Sequence, residues 1–150
     1  MTLTACRSPE ARGMTWQEID INTKTWVIPS SKMKAGREHR VPLNDECTEI
    51  LARLNQFKPA SEDGMVFLHQ LSDVAVSKAL KIVSYPEATV HGLRNSFCDW
   101  CGDNTNFPRE VCEAALTHAV ENQTEAAYRR SGLFEKRRDL MMQWGKYLHG

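Results

Sequence analysis

Short runs of β-branched and aromatic residues are confined to residues 14–43, and from Asn44 onward the apolar residues recur at helical spacing. A chain written this way can build one small antiparallel sheet and must then cover it with helices. Residues 14–19 and 25–29 are two strand-like runs separated by Asp20-Ile-Asn-Thr-Lys24, a hairpin signal. Residues 40–43 supply a third strand, reached through a turn at Ala35-Gly36-Arg37-Glu38. Asn44 reads as an N-cap, with Asp45 and Glu46 placed where a helix dipole favours negative charge. Cys47, Ile50, Leu51, Leu54 and Phe57 follow on one face, so this helix packs on a core. After a loop at 58–64 and a short apolar run at 65–68, Ser72-Asp73 caps a helix carrying Val76, Leu80 and Val83. A Pro-containing break at 85–89 precedes a helix over 91–103, and Pro108 opens another over 109–116. Two last helices are expected over 121–130 and 134–148, the second with Leu140, Met141, Trp144, Tyr147 and Leu148 as its stripe. Residues 1–12 resemble the end of a helix entering a turn, with no N-cap signal ahead of them. The expected fold is α+β, predominantly helical, with helices packed around a small three-stranded antiparallel sheet.

The 150 residues, 41% hydrophobic and 25% charged, fit one domain with a real core. No apolar run approaches the roughly 20 residues that cross a bilayer, and no basic-then-apolar leader opens the chain. No membrane partner is expected, and the cytoplasm is the default location. Five cysteines cannot all pair within one chain, which suits a reducing compartment. Cys98-Asp-Trp-Cys101 is a single C-x-x-C without a second pair, which argues against zinc. Nineteen basic and nineteen acidic residues cancel, which counts against a whole-surface nucleic-acid binder but leaves room for one basic face. Lys32, Lys34, Arg37, His39 and Arg40 form one basic cluster; Arg129, Arg130, Lys136, Arg137 and Arg138 form a second, which reads as a solvated face.

The chemistry is concentrated in a sparse set: Arg7, then His91-Gly-Leu-Arg94, His118 and Tyr128. Two guanidiniums, two imidazoles and a phenol suffice to attack a phosphodiester without a metal. The guanidiniums clamp and neutralise the phosphate, and the phenol attacks phosphorus. A lone histidine is more often structural than catalytic, and His39, His69 and His149 read as ordinary. Tyr85 and Tyr147 read as packing residues; Phe97, Trp100 and Trp144 read as core.

Thr4-Ala-Cys-Arg7-Ser-Pro-Glu10, Lys32-Met-Lys-Ala-Gly-Arg-Glu-His-Arg-Val-Pro42-Leu43, His91-Gly-Leu-Arg94, Ala115-Leu-Thr-His118 and Ala126-Ala-Tyr128-Arg-Arg130 occur in that order. With Leu133-Phe-Glu-Lys-Arg-Arg138 they make the chain resemble the catalytic domain of the tyrosine recombinases, in the prophage and genomic-island integrase branch. The resemblance covers essentially residues 1–150. It implies site-specific DNA integration and recombination through a 3′-phosphotyrosyl intermediate, with Tyr128 as nucleophile. Arg7 and Arg94 match the phosphate-binding arginines, and His91 and His118 the general-base and phosphate hydrogen-bonding positions. Lys34 matches the hairpin lysine that protonates the leaving 5′-oxygen; Lys32, two residues away and expected on the same strand face, is its rival. Lys32, Arg37 and Arg40 are expected to contact DNA. Glu10 is expected to orient an arginine or tie down the turn.

The resemblance further implies double-stranded DNA attachment sites and other integrase protomers, as a tetramer at synapsis, as partners. No cofactor, metal or small-molecule substrate is implied. Two departures stand out: the family often has glycine at Ala5, and glycine or alanine at Thr117. Family members also carry N-terminal DNA-binding domains, which are expected to be absent here, with the first helix expected to be cut short. A non-catalytic DNA-binding or protomer-docking fragment is therefore the competing expectation, with a Cys/His metal protein a distant third.

Overall fold

The structure is a computed structural model; it describes residues 1–56, 64–67, 71–83, 87–116 and 123–150, with the side chains of 123–132 left aside. The expected α+β architecture is present: the described residues form three short antiparallel strands and six α-helices. Strands β1 (Ile19–Asp20), β2 (Thr25–Ile28) and β3 (His39–Pro42) lie in chain order, with Trp26 opposite Ile19 on one side and Val41 on the other. The β1–β2 turn is held by Asp20, whose Oδ1 accepts the backbone N–H groups of Asn22 at 2.9 Å and Thr23 at 3.1 Å. Gly36, at φ +62°, makes the reversal between β2 and β3 where a side chain would be strained.

The first strand is shorter than residues 14–19 suggested. Trp16–Glu18 form a 3₁₀ turn because the Glu18 carboxylate reaches back to the Thr15 N–H and also accepts the Trp26 indole N–H. That double attachment pulls the backbone out of strand geometry. Residues 1–12 also differ from the expected helix end. A 3₁₀ turn at Thr2–Thr4 ends in Ala5 at φ +52°, and a new helix α1 (Ser8–Arg12) starts with Pro9 in its first turn.

Helix α2 (Asp45–Gln56) begins as expected: the Asn44 Oδ1 accepts the Cys47 N–H at 2.9 Å. Cys47 and Leu51 are buried, whereas Ile50 is exposed; Phe57 lies outside the described residues. Helix α3 (Asp73–Val83) is capped by the Ser72 hydroxyl and tied to α1, where Arg12 pairs with Asp73 at 2.9 Å. It buries no residue, and Val83, expected on its packed stripe, is 80% exposed. Helices α4 (Val90–Asn104) and α5 (Arg109–Ala115) match the expected segments closely.

The two expected C-terminal helices are one, α6 (Gln123–His149). Ser131 and Gly132 cost roughly 1 kcal/mol of helix propensity. That is too little to break a helix whose second half buries Leu140, Met141 and Trp144. Among the described residues, no helix is long and apolar enough to cross a membrane.

Two cores result. Cys6, Trp26, Ile28, Val41, Leu43 and Leu51 belong to one between the sheet and α2; Ala5, Phe97, Trp100, Val111, Leu140 and Trp144 belong to another among α4, α5 and α6. Phe97, Trp100 and Trp144 are core residues, with the Phe97 and Trp144 rings edge-on at 5.4 Å. Tyr147 stacks on Trp144 at 5.6 Å but leaves 58% of its surface exposed, so it only half fulfils the packing role. Asn44, fully buried, joins the two cores. Its Nδ2 donates to the carbonyls of Leu3 at 3.3 Å and Met141 at 3.2 Å, while its oxygen caps α2. Gly145 permits this approach, since a Cβ there would lie 2.7 Å from Asn44 Nδ2. The consecutive residues Ala5 and Cys6 enter different cores, so Arg7 emerges at the seam between them.

Candidate active site

Arg7 occupies the N-cap of α1 with extended backbone. One oxygen of buried Glu10 accepts the Arg7 backbone N–H at 2.7 Å, and the other accepts its guanidinium at 3.1 Å. Glu10 thus fixes both the backbone and the side chain of an arginine that stays partly exposed at the seam. The His91-Gly-Leu-Arg94 quartet opens α4. Thr89 caps the helix by accepting the Gly92 N–H at 2.9 Å, and a Cβ at position 92 would meet that hydroxyl at 3.0 Å. His91 is exposed in the first turn, and Arg94, one turn on, lies on the same side of the helix and is partly buried.

The Arg94 guanidinium donates to the Leu116 carbonyl at 2.6 Å. Burial, then the like charge of Arg7, pulls its pKa below the ordinary arginine value. Arg7 and Arg94, from distant parts of the sequence, therefore lie within electrostatic reach of each other. His39, at the start of β3, belongs with them. Burial first, then the charges of Arg137, Arg7 and Arg94, push its pKa down to about 3, so the imidazole is neutral. Its Nε2 is buried and has no hydrogen-bond partner among the described residues.

Arg137 was expected to be solvated, and that expectation does not hold; His39, read as an ordinary structural histidine, is drawn into the fold beside it. Arg137 is 7% exposed, and burial draws its pKa down to about 10. A basic run in a sequence reads as surface, but Arg137 falls on the inward side of α6, one turn before Leu140 and Met141. That helical offset was the available signal. For His39, the signal was its register in β3: it pairs with Ile28 and shares a face with buried Val41.

The hairpin lysines separate clearly. Lys32 ends a 3₁₀ turn, not a strand, and donates to the Gly13 carbonyl at 2.7 Å and to the Glu18 carboxylate. Its expected place on a strand face with Lys34 is corrected accordingly. Lys34 is exposed in the β2–β3 connection and has no ion pair or side-chain hydrogen bond among the described residues. Arg37 is exposed in the same connection; Arg40 is exposed too, its guanidinium 5.0 Å from the centre of the Phe134 ring. The backbone of Tyr128 lies in the second turn of α6, its side chain outside the described residues. His118, His69, Tyr85 and Thr117 also lie outside them. All five cysteines are free, and among the described residues no group of three or more His, Cys, Asp or Glu could hold a metal. The site as described is thus a set of cations, apt for an anion with several oxygens.

Comparison with known proteins agrees with that chemistry. Residues 1–132 match the family model of the phage integrase family. Prophage integrase IntA of Escherichia coli (strain K12) is 38% identical over 151 residues, which cover 95% of this chain and 35% of that protein. The integrase of Shigella phage Sf6 is 29% identical over 153 residues, covering 97% of this chain and 39% of that one. This chain therefore spans a little over a third of the length of such relatives. The crystal structure of XerA recombinase superposes with a TM-score of 0.66 at 14% identity, over 86% of this chain and 53% of that one, which places the fold.

Proposed function

Because the chain belongs to the phage integrase family, we propose that it carries the catalytic centre of a tyrosine recombinase that cleaves and rejoins DNA at attachment sites. Arg7 and Arg94, within electrostatic reach of each other and each braced by its own acceptor, carry this reading. Two guanidiniums, one braced by Glu10 and the other by the Leu116 carbonyl, offer a preorganised grip on non-bridging phosphate oxygens. Such a grip tightens as charge builds in the transition state.

The step assigned to these residues balances without a cofactor. The Tyr128 oxygen bonds to phosphorus, the bond to the 5′-oxygen breaks, and the phenolic proton passes to a histidine base. Lys34 supplies the proton to the leaving 5′-oxygen, a role its free exposed ammonium suits better than the engaged Lys32. His91 and His118 serve as base and phosphate hydrogen-bond donor. A free phenol ionises near pH ~10, so this transfer must accompany attack. The phosphotyrosyl link retains the energy of the broken bond, and a second strand's 5′-hydroxyl reverses the step. The partners are duplex DNA and further protomers of the same kind, assembled as a tetramer, in the cytoplasm of a bacterial or phage-infected cell.

A suicide duplex nicked beside the cleavage position tests this. The chain should form a covalent adduct that resists denaturation and is lost in Tyr128→Phe. Duplex binding by a folded wild-type chain with no adduct would leave a binding module in place of an enzyme.

A further inference from the structure

Among the described residues, two buried side-chain polar atoms have no hydrogen-bond partner, His39 Nε2 and Arg137 Nε. They are neighbours in charge as well as in burial, since Arg137 is the foremost charge acting on His39, followed by Arg7 and Arg94. Arg137 and Arg94 are also anchored to the same short stretch of backbone. Arg137 donates to the Ala114 carbonyl at 3.3 Å and Arg94 to the Leu116 carbonyl at 2.6 Å, both at the C-terminal end of α5. That helix end, whose last carbonyls have no partner within the helix and which carries the negative end of the dipole, suits guanidinium donors. The Phe134 ring, 5.5 Å from the Arg137 guanidinium, supports it from its own helix.

Three guanidiniums act on His39, whose ring nitrogen is buried, and an anion there would offset their charge. Glu10 is already bonded twice to Arg7. An anion with several acceptor oxygens is the kind of partner that both of these N–H donors, His39 Nε2 and Arg137 Nε, suit. We propose that Arg137 and His39 complete the phosphate site begun by Arg7 and Arg94, Arg137 as a third guanidinium and His39 as a neutral hydrogen-bond donor through Nε2. The proposal extends the reading of Arg7 and Arg94 as a phosphate clamp and rests on it. It makes the C-terminal helix part of the site twice, through Tyr128 near its start and Arg137 further along. A neutral donor is useful here because it adds a hydrogen bond without adding to the mutual repulsion of the arginines.

Inorganic phosphate titrated into the ¹⁵N-labelled chain, followed through the arginine Nε–H and histidine ring resonances, tests this. The signals of Arg7, Arg94, Arg137 and His39 should move together along one saturation curve. Arg137→Met should weaken phosphate at least about tenfold, the loss expected for one charge-assisted hydrogen bond. His39→Gln, which keeps a donor, should weaken it less than His39→Ala. Movement of Arg7 and Arg94 alone overturns the proposal while leaving the two-arginine clamp intact. Silence at all four positions overturns both. Because the wild-type spectra decide the question directly, a variant that fails to fold does not obscure the answer.

Discussion

Arg7 shows what a single residue needs before it can act on a phosphate: a fixed backbone, a braced guanidinium and an open face. Glu10 provides the first two through its two oxygens. Arg7→Ala and Arg94→Ala should each lower adduct formation by on the order of 100-fold while leaving the fold intact, checked by cleavage rate and thermal melting. Glu10→Gln, which keeps the shape but loses the charge, should give a smaller loss of rate. His39 leads to a pH dependence. Its pKa of about 3 lies below the ordinary 6.5 because of burial and the charges of Arg137, Arg7 and Arg94. Between those values the unfolded chain binds a proton that the folded chain does not. Stability is therefore fully present above pH 6.5 and falls as the pH drops, by up to ~1.4 kcal/mol per pH unit. Denaturant titrations at pH 7 and pH 5 should show this loss in the wild type, and His39→Gln should lack that part of it. Ala5 explains its own departure from the family pattern. At φ +52° glycine is the easier residue, yet the alanine methyl is buried in the helical core. The gain from relieving the backbone and the loss of about one buried methyl, each ~1 kcal/mol, should leave Ala5→Gly nearly neutral.

At the scale of elements, the hairpin and the last helix determine where the chemistry can be. Lys32→Ala removes an exposed tie to Glu18 and Gly13 and should cost no more than ~1 kcal/mol of stability. Lys34→Ala should leave stability unchanged and lower cleavage; the opposite pattern would exchange the two roles. Helix α6 is held to the rest by Asn44 and Trp144, whose indole donates to the Thr2 carbonyl at 2.9 Å. Asn44→Ala strips the α2 cap and leaves the Leu3 and Met141 carbonyls without this donor, which should cost about 2–3 kcal/mol in a denaturant melt. The helices α2 to α5 and the three-stranded sheet were legible because apolar spacing and caps such as Asn44, Ser72 and Pro108 are local signals. The extent of β1 and the continuity of α6 were not. Glu18 bending the chain toward Trp26, and a buried second half carrying a helix through Ser131 and Gly132, are tertiary effects with no local mark.

For the whole molecule, the charges cancel in number but not in place. Arg7, Arg94, Arg137 and neutral His39 gather where the two cores meet, which reconciles a net charge of zero with an anion site on one face. Motif order made the Arg7–Arg94 pairing readable from the sequence, whereas His39 and Arg137 entered the site only through register and helix face. This chain spans a little over a third of its relatives' length, so duplex binding and adduct formation are to be measured separately. The most direct test of the account is the structure of the Tyr128→Phe chain bound to a cleavable duplex. One phosphate should lie within about 3 Å of both the Arg7 and Arg94 guanidiniums, with the ring at position 128 facing its phosphorus in line with the 5′-oxygen. Two arginines gripping different phosphates, or that ring pointing away from a phosphate already held, would contradict it.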